Sequence, residues 1–122
     1  MFSPVRLVKT FRYALNGLRV TWREEQNFRI HVLAGFVVVL VGLWFRITSS
    51  EWIALIIVSG LVMIAEMSNT IFERIVDVLK PRMHPFAEVV KDMMAASVVL
   101  AVGVSVVVGG IIFLPRLLNL FS

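Results

Sequence analysis

The chain has 122 residues, 59% of them hydrophobic and only 16% charged, with a mean hydropathy of +0.91 and a net charge of +4. Soluble domains are about 45–50% apolar, so this composition excludes a soluble globule and implies one all-α integral membrane domain spanning residues 1–122. The lack of cysteine excludes disulfides, iron–sulfur clusters and thiolate zinc sites, and the positive charge, with no recognition motif beside it, fits topology and anionic lipid rather than nucleic acid.

Ser3 and Pro4 form a good helix start, a capping hydroxyl followed by a proline where no amide donor is needed. After them Val8, Phe11, Leu15, Leu18 and Trp22 recur at helical steps, while Arg6, Lys9, Arg12, Arg19 and Arg23 fall mostly on the other side. This predicts an amphipathic helix over 3–24. It lies in the membrane interface, packs on the protein's own bundle, or does both. The spread of basic residues from Arg6 to Arg29 lacks a signal-peptide pattern, so no processing is expected.

Three apolar segments follow, read as transmembrane helices over 28–47, 52–73 and 92–114. The connection from Arg46 to Glu51 is short, and the one from Glu73 to Asp92 is longer and basic. Of the 12 Lys and Arg, all but Arg46 and Arg116 lie before or at the start of the first span or between the second and third. The positive-inside rule then puts the N-terminus and second loop in the cytoplasm and the C-terminus outside. In the third span Ser97, Ala101, Ser105 and Gly109 make a line of small residues, suited to close helix packing.

The second span ends unusually. Glu66, Asn69, Glu73 and Asp77 stand three or four residues apart and fall within roughly 80° of one helix face. They form a stripe descending from the hydrocarbon toward the cytoplasm. An ionised carboxylate at membrane depth costs several kcal/mol unless paired, metal-bound or protonated. A polar packing seam would explain one such residue, but three carboxylates and an amide on one face point to function. Clustered carboxylates are hard oxygen ligands that favour Mg²⁺ bridging phosphate oxygens, and the deeper Glu66 suits a general base. Arg6, Arg29, Arg74, Lys80, Arg82 and Lys91 at the same level would neutralise phosphate. Phosphoryl transfer to a lipid hydroxyl fits this arrangement, although no phosphate-binding glycine motif is present to identify the nucleotide. Glu24 and Glu25 matter only if the fold carries them to the second span. A proton- or ion-coupled membrane protein is the rival reading. It suffers because the outer half of that span, Trp52 to Ala65, offers only Ser59 as a polar side chain.

Three motifs then resemble one family, the small bacterial lipid kinases of the prokaryotic diacylglycerol kinase family. E-M-S-N-T-I-F-E-R-I-V-D, from Glu66 to Asp77, matches its E-x-x-N-S/T-A-I-E-x-x-x-D signature. K-D-M-M-A-A-S-V, from Lys91, matches a second, and G-L-R-V-T-W-R-E-E, from Gly17 to Glu25, a third. The departure is Ile71-Phe72, where the family usually has Ala-Ile. Asn27 to His31, His84 to Asp92 and Phe113 to Leu117 resemble the undecaprenol kinase branch more than the diacylglycerol kinase branch, which more often has glutamate at the His31 position.

The resemblance implies ATP, Mg²⁺, a lipid alcohol substrate, a bacterial inner (plasma) membrane location and a homotrimer with composite active sites. By motif, Glu66 resembles the catalytic base, and Glu25 and Glu73 the carboxylates that hold the metal and nucleotide. Arg6, Tyr13, Arg82, Met83, His84, Lys91 and Asp92 align with nucleotide contacts, and Asn69 and Asp77 with supporting residues. Arg19, Trp22, Asn27, Arg29, His31 and Glu66 align with lipid-facing positions. Undecaprenol is the expected acceptor and diacylglycerol the alternative.

Overall fold

The computed structural model describes residues 3–79 and 84–122, with His84 described by its backbone alone. It contains four helices, α1 (Pro4–Glu24), α2 (Gln26–Phe45), α3 (Ser49–Leu79) and α4 (His84–Phe121), and no strand among the described residues. The last three are long and apolar enough to cross a membrane, so the chain is an all-α membrane protein with one N-terminal helix ahead of the spans.

Each boundary has a local cause. The Ser3 side chain accepts from the Arg6 N–H at 3.5 Å, a long capping bond, with Pro4 at the first helical position. Glu25 is extended, with φ −115°, so it ends α1 and begins α2 in one residue. At the other end of α2, Arg46 adopts the left-handed conformation, φ 52°, and the Ile47 N–H reaches back to the Gly42 carbonyl at 3.3 Å. That is a Schellman-type stop built without glycine at the left-handed position, a choice that costs about 1–2 kcal/mol. Thr48 and Glu51 then start α3 as a capping box. The Thr48 N–H donates to Glu51 Oε1 at 2.9 Å, and the Glu51 N–H donates to Thr48 Oγ1 at 3.3 Å.

Glu51 also ties α3 to α4. Arg116 donates to both of its oxygens, each at 2.7 Å, a fork-on-carboxylate pair with good directionality. Above this pair sits the small core, Ile47, Leu55 and Ile112, with Phe45 and Phe113 packed on it at a ring separation of 6.2 Å. Gly42 is part of the same turn. A Cβ there would meet Trp52 Cη2 at 2.7 Å, closer than packed carbons approach. Gly42→Ala is therefore expected to lower the stability of the micelle-solubilised protein by about 1–3 kcal/mol. An unshifted thermal unfolding midpoint would show that Trp52 moves aside freely.

The helices outrun the hydropathy-based spans. Apolar windows predict 52–73 and 92–114, but α3 has 31 residues and α4 has 38, about 46 and 57 Å of helix against a hydrocarbon core of about 30 Å. The connection expected from Glu73 to Asp92 is helical as far as Leu79 and again from His84. Hydropathy follows the apolar stretch, whereas the hydrogen-bonded backbone continues through the polar residues beyond it. A single chain buries little of its spans, 28% of the α3 window and 6% of the α4 window. Hydrocarbon or other chains cover the rest.

Candidate active site

The buried face of α3 runs Leu55, Val58, Val62, Glu66, Thr70. It is the usual helical line of apolar residues, with a glutamate in place of the next aliphatic. If the Glu51–Arg116 pair marks one membrane boundary, Glu66 lies about 22 Å further along the helix axis and Glu73 about 33 Å. A core of about 30 Å then ends between them. On that placement Glu66 would be inside it and Glu73 and Asp77 beyond it, and the fold buries Glu66 and exposes Glu73 and Asp77.

Glu66 has a partner. His31 Nε2 on α2 stands 3.0 Å from Glu66 Oε1, with the two side chains 23% and 5% exposed. One turn on, the Asn69 side-chain oxygen is buried with no hydrogen-bond partner among the described residues. A buried acceptor without a donor is costly, and it is the sort of group that a ligand or a second chain satisfies.

A groove of about 400 Å³ opens between α2, α3 and α4. Ile30, His31 and Ala34 form its wall on α2, Val62 and Met63 on α3, and Ser105 and Gly109 on α4. Two members of the expected line of small residues thus make the groove wide. Its α2 wall, Ile30 to Val38, extends about 12 Å from the His31 level toward the Glu51 end of the molecule. The lining is overwhelmingly apolar, as a hydrocarbon chain requires.

At the opposite, polar end Arg74 on α3 reaches Glu25 at 3.3 Å and Glu24 at 3.4 Å. This holds Glu25 against the turn of α3 that carries Glu73. These groups are a third to a half exposed, so the pairs are worth no more than about 1 kcal/mol and exchange readily for other partners. Lys91 on α4 meets Asp77 on α3 at 2.6 Å, and Asp92 is exposed at the next position. Among the described residues no three His, Asp or Glu side chains form a cation cage. Mg²⁺ asks less of a protein, one or two carboxylates with phosphate and water completing the shell, and Glu25 with Glu73 offers that donor set.

Other candidates are placed differently. Arg29 donates to the Trp22 and Arg23 carbonyls at 2.7 and 2.9 Å, so its guanidinium caps the C-terminal turn of α1. Arg19, Trp22 and Asn27 are exposed. Arg6 and Tyr13 are exposed on α1, about 28 and 18 Å along its axis from Glu25, and are not gathered with the carboxylates of their own chain. Arg82, Met83 and the His84 side chain lie outside the described residues. Sequence reasoning did not find the contacts of Arg74 with Glu24 and Glu25, or that of His31 with Glu66. The only signal for the first was an arginine beside Glu73, and for the second a histidine at the start of an apolar segment.

A family model described as "Prokaryotic diacylglycerol kinase" matches residues 12–113. The chain is 33% identical to a protein of Bacillus subtilis (strain 168) named "Undecaprenol kinase", over 92% of this chain and 91% of that one. It is 36% identical to a "Diacylglycerol kinase" of Synechocystis sp., over 93% of this chain and 66% of that protein. Against a "Diacylglycerol kinase" of Escherichia coli (strain K12) the identity is 32%, over 84% of each.

Proposed function

The chain belongs to the prokaryotic diacylglycerol kinase family and is a lipid kinase, and from that premise we propose that it phosphorylates undecaprenol with ATP, Glu66 acting as the general base. The observation that carries this reading is a buried carboxylate set where an apolar groove meets the polar end of the helices. The acceptor's hydrocarbon chain lies in the groove and its hydroxyl comes up to Glu66. The hydroxyl proton passes to the Glu66 carboxylate as the acceptor oxygen bonds the γ-phosphorus. The bond from that phosphorus to the bridging oxygen breaks, and its electron pair leaves with ADP. The products are undecaprenyl phosphate, ADP and one proton.

Glu25 and Glu73 are the residues that would hold Mg²⁺, which would supply neutralisation of charge on the phosphate oxygens. Lys91, set by Asp77, and Asp92 bind the nucleotide in this reading, and Arg82, Met83 and His84 are assigned to it by their motif alone. Arg6 and Tyr13 complete that site from a neighbouring chain in a homotrimer, which accounts for their distance from Glu25 within one chain. The orphaned Asn69 oxygen supports the same composite arrangement. Arg19, Trp22 and Asn27 border the lipid. The charge bias puts the N-terminus and the α3–α4 connection in the cytoplasm of a bacterial plasma membrane and the C-terminus outside.

Undecaprenol is preferred over diacylglycerol because Asn27 to His31, His84 to Asp92 and Phe113 to Leu117 resemble the undecaprenol kinase branch. The undecaprenol kinase of Bacillus subtilis also aligns over nearly its whole length. The test is a competition in mixed micelles, with labelled ATP, Mg²⁺ and equimolar undecaprenol and diacylglycerol. Label is expected mainly in undecaprenyl phosphate. Label mainly in phosphatidic acid would retain the chemistry and reverse the acceptor.

A further inference from the structure

Glu66 is a glutamate on the buried face of a helix, and the terminal torsion of a glutamate is intrinsically broad. A carboxylate that must meet a hydroxyl in one direction needs something to stop it turning. The contact available is His31, on a different helix, with Nε2 3.0 Å from Oε1. The same imidazole also lines the groove, between Ile30 and Ala34 of α2. One side chain is therefore in touch with both the base and the wall along which the acceptor's chain runs.

We propose that His31 is a positioning residue for the phosphoryl transfer. Its Nε2–H donates to Glu66 Oε1, which fixes the carboxylate and leaves Oε2 for the acceptor hydroxyl, while its ring forms the wall beside the acceptor's first carbons. The inference rests on Glu66 being the base. His31 itself gains and loses no proton in the step. The hydroxyl proton ends on Glu66 Oε2, and the imidazole N–H stays where it is, holding the carboxyl plane. The tautomer with hydrogen on Nε2 is the one that donates to a carboxylate in this geometry.

A wall residue and a positioning residue give different kinetics. His31→Phe keeps a ring against the groove and removes the donor. His31→Gln keeps an N–H of similar reach and removes the ring. A positioning role predicts that His31→Phe loses turnover by about 10- to 100-fold, the range seen when a group orienting a functional side chain is removed, with the KM for Mg–ATP unchanged. His31→Gln should recover most of that loss. Wild-type turnover in His31→Phe would overturn the proposal. So would a defect equal in both variants and confined to the KM for the lipid, which is the signature of a wall alone.

Glu66→Gln, measured beside them, separates the two levels of inference. If Glu66→Gln is active, the base assignment falls and this proposal with it. If Glu66→Gln is inactive while His31→Phe turns over normally, only the positioning role falls. Should His31→Phe fail to assemble, nitrogen-15 spectra of the histidines in the otherwise intact protein carry the test. A proton bound to Nε2 of His31, with a resonance that moves on Glu66→Gln, supports the contact as drawn. A His31 resonance indifferent to Glu66→Gln overturns it.

Discussion

Glu66→Gln is expected to abolish turnover while leaving the protein at least as stable as before. The two halves of that expectation have separate causes. The amide has nearly the shape of the carboxylate, and its oxygen can take the same place 3.0 Å from His31 Nε2, so the packing of α2 on α3 is preserved. It cannot accept the hydroxyl proton, however, and a positioned general base contributes about 10²–10⁴-fold, equivalent to about 2.7–5.4 kcal/mol of barrier. The Glu66 side chain is only 5% exposed, and burying an ionised carboxylate is costly even when it is paired. Removing the charge relieves that cost. Activity in mixed micelles and thermal unfolding of the same preparation decide the matter together. Wild-type turnover would remove Glu66 from the chemistry, and a large drop in unfolding temperature would make it a packing residue. A glutamate that limits stability but is indispensable to turnover is the pattern of a functional site.

The sequence made this residue visible and hid its partner, for a physical reason. A carboxylate inside an apolar helix contradicts its surroundings, and the contradiction can be read from a few neighbouring residues. Asn69, Glu73 and Asp77 add to it because helical spacing places them on the same side of α3. A contact between His31 and Glu66 depends on how α2 lies against α3, thirty-five positions away in the chain, and no local pattern encodes that. The Arg74 contacts with Glu24 and Glu25 are hidden for the same reason. Likewise Arg116 reads only as a stray cation beyond the last span, yet it caps the α3–α4 pair through Glu51. Helix type was legible from hydropathy and capping residues. Helix length was not, because Glu73 to Leu79 and His84 to Asp92 are polar enough to read as a loop while still helical. The groove was half legible. The small residues Ser105 and Gly109 mark a place where something approaches α4 closely, but whether that is a helix or a lipid chain depends on the neighbouring helices.

The second large effect is expected at Glu73, where the loss should appear in the metal requirement rather than in lipid binding. Glu73 is exposed, so Glu73→Gln removes the proposed ligand without disturbing a buried contact. The Mg²⁺ concentration for half-maximal activity should rise by about 10- to 100-fold, the usual cost of weakening a metal site. The KM for the lipid acceptor should stay constant. Glu25→Gln should do the same, and the double variant should be little worse than the poorer single one, since two ligands of one ion act as a unit and their losses do not add. Additive losses would place the two carboxylates on different partners. An unchanged Mg²⁺ titration in Glu73→Gln would exclude it as a ligand. Arg74 sharpens the comparison. In this chain it contacts Glu25 at 3.3 Å, and the pair is weak enough to be exchanged. The carboxylate is thus held near the turn that carries Glu73, and in the proposed site a metal-bound phosphate would be the better partner for Arg74 and would leave Glu25 to bind the ion. Arg74→Gln should therefore slow assembly of the Mg–ATP site without changing which atoms compose it, which is a different signature from loss of either carboxylate.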